Sequence, residues 1–301
     1  MNFSISTLIL FLTVLPAVAG PYPPEAGSAG STAIHKDSTL FINWAIGNSS
    51  YVPGTDVDNI WKTPSKAYGK AEGTSMDIVC LGNGGSITLY FLRPIRNGTG
   101  ADFAVFENSF SDFFLELAFV DVSSNGLNFF RFQTASLTPS AVGAFGEVYP
   151  DEIDGFAGKY RQGFGTPFDL ATLPASALLD KQRIRYVRII DLIGNGATKD
   201  SSNRAIYDPT PTVGSGGFDL DAVGVIHQNE DAMRIVQSGL VPQGFLLAWE
   251  SNPGTTYKIE TSENLKIWTT LETLTGATGA TTERTLSRAG STARFWRVVR
   301  P

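Results

Sequence analysis

The chain has 301 residues, a net charge of −6 and a pI near 5.0, with one cysteine and two histidines. An acidic chain with no concentrated basic stretch excludes a phosphate backbone as its main partner. The lone Cys80 excludes an internal disulfide, and His35 and His227 are too few for a histidine zinc site.

In chain order, residues 1–19 carry no charged side chain. An apolar stretch from Leu8 to Val18 ends in the small-x-small pattern Ala17-Val18-Ala19. This reads as a cleaved export signal, so the expected location is secreted, extracellular or at the cell surface. No later segment reaches the ~18–20 uninterrupted apolar residues of a membrane-spanning helix. Residues 20–33, GPYPPEAGSAGSTA, read as a flexible leader.

From 34 to 226, strand-like runs alternate with turn clusters. SITLYFLRPI (86–95) places Ile87, Leu89 and Phe91 on one face, and ADFAVFENSF (101–110) places Phe103, Val105 and Glu107 together. Residues 113–134 read as a hairpin across Ser123-Ser124-Asn125-Gly126. RIRYVRIIDLIG (183–194) sets Ile184, Tyr186, Arg188 and Ile190 opposite Arg185, Val187, Ile189 and Asp191. FDLDAVGVI (218–226) supplies the last strand. Roughly eight strands with long Gly-rich connections predict an all-β jelly-roll sandwich of the galactose-binding-like kind. Connections at 135–182 and 192–217 are long enough to carry function. Residues 227–232 read as a linker, and 233–301 as a small immunoglobulin- or fibronectin-like β-sandwich with Trp249, Trp268 and Trp296 in its core.

Three oxygen-rich clusters stand out. Asp219 and Asp221 are two apart, so on a strand both project to one side, roughly 6.6 Å apart at Cα. Two carboxylates next to a buried layer must be solvated, paired, or bound to a hard cation. Structural calcium, a plain salt bridge and catalysis all remain open for them. Asp102 with Glu107 and Asn108, and Asp191 with Asp200 and Asn203, are the other two clusters. Asp221, Asp102, Glu107 and Asp191 are the candidate calcium ligands. The aromatic-rich loops around GKYRQGFG, with Tyr160, Arg161, Phe164 and Tyr207, suit stacking on a sugar or planar ligand, with Asp219 as a polar contact. The nucleophile elbow, the H-E-x-x-H helix, the phosphate loop and the dinucleotide fingerprint are all lacking, so an enzyme here would have to work with carboxylates alone.

The segments DFAVFEN, GTPFDLA and GGFDLDAVGVI, in that order over about residues 40–226, resemble a recurrent bacterial cell-surface domain. The resemblance implies an exported β-sandwich and little biochemistry. The chain ends at RFWRVVRP without the anchor helix or basic sorting tail of many such proteins. LAWESNPGTTYKIETSENLKIWTTL and ARFWRVVR are similar to small fibronectin-like modules of planctomycete and verrucomicrobial secreted proteins, which act as spacers or adhesion units. FDLDAV also resembles the last strand of carbohydrate-binding jelly rolls. There the second acid, here Asp221, helps hold a structural calcium, and Asp219 replaces their usual Asn near the sugar. The expectation is a secreted, non-enzymatic surface protein with structural calcium that binds an extracellular glycan or surface ligand. The alternatives are a carboxylate-dependent glycan hydrolase or lyase, and a purely structural envelope component.

Overall fold

A computed structural model describes residues 20–229, 233–251, 254–279, 281–287 and 295–301. The expected export signal and the second half of the expected linker, 230–232, lie outside these residues. Among them, helix is confined to short 3-10 turns, and no helix is long and apolar enough to cross a membrane.

Strands β1 (Ile34–His35), β2 (Asn43–Trp44), β3 (Gly47–Val52), β4 (Val79–Cys80) and β5 (Ser86–Ile95) open the larger unit. They are followed by β6 (Phe103–Glu107), β7 (Ala118–Ser123), β8 (Phe130–Arg131), β9 (Ala135–Ser136) and β10 (Ile153–Asp154). β11 (Phe164–Phe168), β12 (Ile184–Asp191), β13 (Asn195–Lys199), β14 (Ala205–Tyr207) and β15 (Asp219–Val225) complete it. Two large antiparallel sheets result. One runs β1-β11-β6-β15-β2, with β4 also on β15; the other runs β3-β5-β12-β7-β8.

Period-two alternation explains how the sheets meet. Ile87, Leu89 and Phe91 of β5 point inward, while Tyr90 and Leu92 stay exposed. They share one buried cluster with Val120 and Val122 of β7, Val187 and Ile189 of β12, Phe103 and Val105 of β6, and Val223 and Val225 of β15. Residues of both sheets in one core define a β-sandwich. β6 is buried on both faces, because Phe41 and Trp44 cover Phe106 on its far side.

Two register shifts break the simple alternation. In β12 one falls between Ile184 and Tyr186, which puts Ile184 on the buried side with Val187 instead of opposite it. In β15 another falls between Leu220 and Ala222: Leu220 stands across from Glu107, but Ala222 across from Phe106. The GGFDLDAVGVI strand is therefore central, as its apolar content predicts, but it is not regular.

The leader does not hang free. The Gly20 amide donates to Asp151 Oδ2 at 2.6 Å, and the Tyr22 amide to the Asp151 carbonyl at 3.2 Å. Thr32 meets the Tyr160 hydroxyl at 2.9 Å, and Ala26 is buried. These bonds outweigh the flexibility that a Pro/Gly/Ser composition suggests.

Beyond the linker, β16 (Ile235–Val241), β17 (Gly244–Glu250), β18 (Thr256–Ser262), β19 (Thr269–Thr275), β20 (Thr281–Leu286) and β21 (Phe295–Val299) form two three-stranded antiparallel sheets. Their orders are β16-β17-β20 and β19-β18-β21. Trp249 is fully buried among Leu247, Tyr257, Ile259, Leu274 and Leu286, and Trp296 packs against them. Trp268 is not in that core; the Arg297 guanidinium lies over its ring, 4.2 Å from the centroid.

Candidate functional site

One cleft of about 590 Å³ opens at the end of the larger sandwich. Its walls come from five separated segments: Trp61, Ser75–Met76, Asn108–Glu116, Ala144–Phe145 and Pro211–Asp219. Two connections expected to carry function, 135–182 and 192–217, both contribute.

The apolar wall is a file of rings. Phe110 stacks on Phe114 at 4.8 Å between centroids, and Phe114 stacks on Phe145 at 6.1 Å. Phe110 is 66 % and Phe145 84 % exposed, so both rings face solvent at the cleft. Serines fold the segment that carries them. Ser111 Oγ accepts from the Phe113 and Phe114 amides at 3.2 and 2.8 Å, and the Ser109 hydroxyl donates to the Phe114 carbonyl. Trp61 is set opposite by an interlocked loop: the Asp58 amide donates to the Gly214 carbonyl at 2.7 Å, and the Gly216 amide to Asp56 at 3.0 Å.

The floor is acidic. Asp219 and Glu116 both line the cleft and are almost fully buried. Asp219 Oδ2 accepts from the Asn108 side chain at 3.3 Å, whereas Asp219 Oδ1 has no partner, and neither has Glu116 Oε1. Glu116 is fixed through its neighbour, because the Leu117 amide donates to Asp208 Oδ2 at 2.9 Å. At Gly158 the backbone passes so close to the Glu116 carbonyl that a Cβ would lie 2.0 Å from it. Gly158 also has φ +83°, so this approach requires glycine.

Burial governs the protonation of these acids. It pushes Asp219 up to about 7. Burial, reinforced by the charges of Glu107 and Asp219, raises Glu116 well above the ordinary carboxylate range. Glu107, directly behind, is raised well above that range by burial and by Asp219. Its Oε2 accepts from the Ser109 amide at 2.7 Å. Both carboxyls of the cleft thus hold their protons more tightly than exposed acids do, because burial disfavours the charged form.

Of the residues expected at a site, the structure brings only Asp219 to the cleft wall and Glu107 next to it. Asp221 is spent elsewhere. Its two oxygens accept from the Glu72 and Gly73 amides at 3.0 and 2.8 Å, and burial lifts it to about 6. Asp102 accepts from the Gly98 and Leu170 amides at 2.6 and 2.8 Å and pairs with His227 Nδ1 at 2.8 Å. Asp191 accepts from the Gly84 and Phe218 amides, both at 2.7 Å, and burial lifts it to about 7. These carboxylates tie loops to strands, and among the described residues no three His, Cys, Asp or Glu gather as a cation's donors.

The GKYRQGFG aromatics are likewise structural. Tyr160 is buried on Thr32. Arg161 grips both Asp112 oxygens at 2.8 Å, with its guanidinium 4.8 Å over the Phe164 ring. Tyr207 sits in β14 across from Asn195, its ring against Gly196. Cys80 is buried as expected, its thiol donating to the Gly216 carbonyl at 3.1 Å.

Sequence reasoning missed Glu116 and the Phe110–Phe114–Phe145 file. The signal available was one charge inside FFLELAFV, an apolar run where an acid needs a reason. No protein-family model and no curated protein matches the chain.

Proposed function

We propose that this is a secreted or cell-surface ligand-binding protein, a jelly-roll-like sandwich with a small fibronectin-like module behind it, and that the cleft takes an extracellular glycan. What carries the reading is the pairing of solvent-facing rings with buried, unpartnered carboxylate oxygens in one cleft of ligand size. Ordinary ligand clefts run from roughly 300 to 1,000 Å³ and combine apolar walls with a few convergent polar groups. Rings stack on the apolar faces of sugars, and orphaned acceptors take their hydroxyl protons. Asn108, Ser75, Thr212 and Ser215 supply further polar contacts at the wall.

A glycan array with the full mature chain tests this. Specific binding that Phe145→Ser weakens supports the reading, since Phe145 is exposed and its loss leaves the core intact. Binding that survives both Phe145→Ser and Phe110→Ser rules the cleft out as the binding site.

A second reading, a carboxylate-dependent glycan hydrolase or lyase, is favoured by one observation: Glu116 and Asp219, two buried carboxyls with raised affinity for their protons, line the same cleft. A general acid and a base of that kind is what glycosidic cleavage uses. Product analysis of the bound glycans separates the two readings: release of shortened chains, lost in Glu116→Gln, establishes the hydrolase or lyase.

A further inference from the structure

The acids on the cleft floor have no cationic side chain beside them among the described residues. Residues lining the cleft include two carboxyls, Glu116 and Asp219, and no Lys, Arg or His among those described. Elsewhere in the same sandwich, buried acids are answered either by a basic side chain, as Asp121 by Arg131 and Arg188, Asp200 by Arg204 and Asp102 by His227, or by backbone amides, as at Asp191, Asp208 and Asp221. In the cleft each acid instead keeps one buried oxygen without any donor, Glu116 Oε1 and Asp219 Oδ1. A buried carboxylate without a donor is costly, and the cost disappears when a ligand brings the donor.

We propose that the ligand supplies the missing cation: the cleft recognises a glycan bearing free amino groups, of the unacetylated hexosamine class. This rests on the glycan reading of the same cleft and narrows it. A protonated amine carries three N–H donors for the carboxyls that line the cleft, and its positive charge favours their ionised form. The rings favour the same species. A cation near an aromatic face is attracted to it, and Phe110, Phe114 and Phe145 surround the approach while leaving the sugar's apolar face a surface to stack on. An acetylated amine offers one N–H, no charge and extra bulk. A neutral hydroxyl offers one proton to a carboxylate that has lost its own. The raised affinity of these acids for protons gives the preference a pH dependence. Ammonium binding competes with the proton, so selectivity for the amine peaks near pH 7, where the floor ionises while the amine still carries its proton, and fades as the floor protonates below it.

The experiment is calorimetric titration of the mature chain at pH 7.5 and pH 5 with matched oligomers of glucosamine and of N-acetylglucosamine, and with a linear alkyl diamine. Glucosamine oligomers, already less charged at pH 7.5 than at pH 5, should still bind tighter than the acetylated series by on the order of tenfold or more at pH 7.5. At pH 5 the gap should shrink. Asp219→Asn, which keeps the shape and removes the ionisable group, should weaken the glucosamine oligomers far more than the acetylated ones, so that the gap closes; Glu116→Gln should shift it in the same direction. Phe145→Ser should weaken both series.

Equal or tighter binding of the acetylated oligomers overturns the amine proposal and leaves the glycan reading standing. Binding of the alkyl diamine as tight as that of glucosamine oligomers overturns the sugar part. No binding of either glycan series overturns both.

Discussion

At Asp219 a single carboxyl links ligand binding to fold stability. Its pKa lies near 7 in the folded chain, against an ordinary value of 3.8, because burial disfavours the charged form. The folded protein therefore holds this proton to higher pH than the unfolded chain does. The resulting penalty on folding begins above about pH 4 and is complete above about pH 7. Asp219→Asn removes it. The variant's melting temperature should exceed the parent's at pH 8 by on the order of 2–4 °C, with no gain at pH 4, as thermal melts at both pH values would show. A loss at pH 8 larger than that at pH 4 would mean that the carboxylate is stabilising when charged, and that something in the protein already partners it.

The element that sets Asp219 in the cleft wall is β15, with its approach through Gly214-Ser215-Gly216-Gly217. Asp191, at the end of β12, bonds the Gly84 amide with one oxygen and the Phe218 amide with the other, so one side chain fastens the turn before β5 to the start of β15. Gly217 lies against it: φ is +76°, and a Cβ there would sit 2.6 Å from Asp191 Oδ1. Gly217→Ala should cost about 2 kcal/mol or more, by backbone strain plus displacement of that carboxylate, measured by denaturant unfolding. Because Asp219 follows two residues later, ligand affinity should fall with it, whereas Gly100→Ala, also at positive φ but in open space, should leave affinity unchanged.

Elements of this kind were legible in the sequence to different depths. The strands at 86–95, 184–191 and 219–225 follow from alternation and β-branched content, and the hairpin after Ser123 from its Asn-Gly turn. The extra residue between Leu220 and Ala222 leaves no compositional trace, yet with it Asp219 lines the cleft while Asp221 binds the Glu72–Gly73 backbone. The cleft was illegible for a related reason. Trp61, Phe110, Glu116, Phe145 and Thr212 are neighbours only because loops of different strands close on one another, and no local spacing encodes that.

Across the whole molecule, buried acids act as staples between loops and strands. Asp102, Asp191, Asp208 and Asp221 each accept from backbone amides far away in sequence, a service that disulfides or metals perform in many exported proteins. Each of these carboxylates is already met by backbone N–H donors. Chelation with EDTA should therefore leave the melting temperature within about 1 °C, and a fall of several degrees would place a bound divalent cation among the acids. Asp102→Asn, by contrast, disturbs a staple that joins Gly98, Leu170 and His227, and should lower stability by about 2–3 kcal/mol.

The bond between the Gly20 nitrogen and Asp151 has a consequence for maturation. Cleavage after Ala19 would make that nitrogen the chain's own α-ammonium, so the 2.6 Å contact would become an ion pair formed only in the processed protein. The place allows glycine alone without rearrangement, since a Cβ on residue 20 would lie 2.1 Å from the Asp151 carbonyl oxygen. A chain beginning at Gly20 should melt higher than one carrying an extra Met before it, and should lose its first residues more slowly to an aminopeptidase. Export would then do more than deliver the protein: the cut that releases it would also fasten its free end.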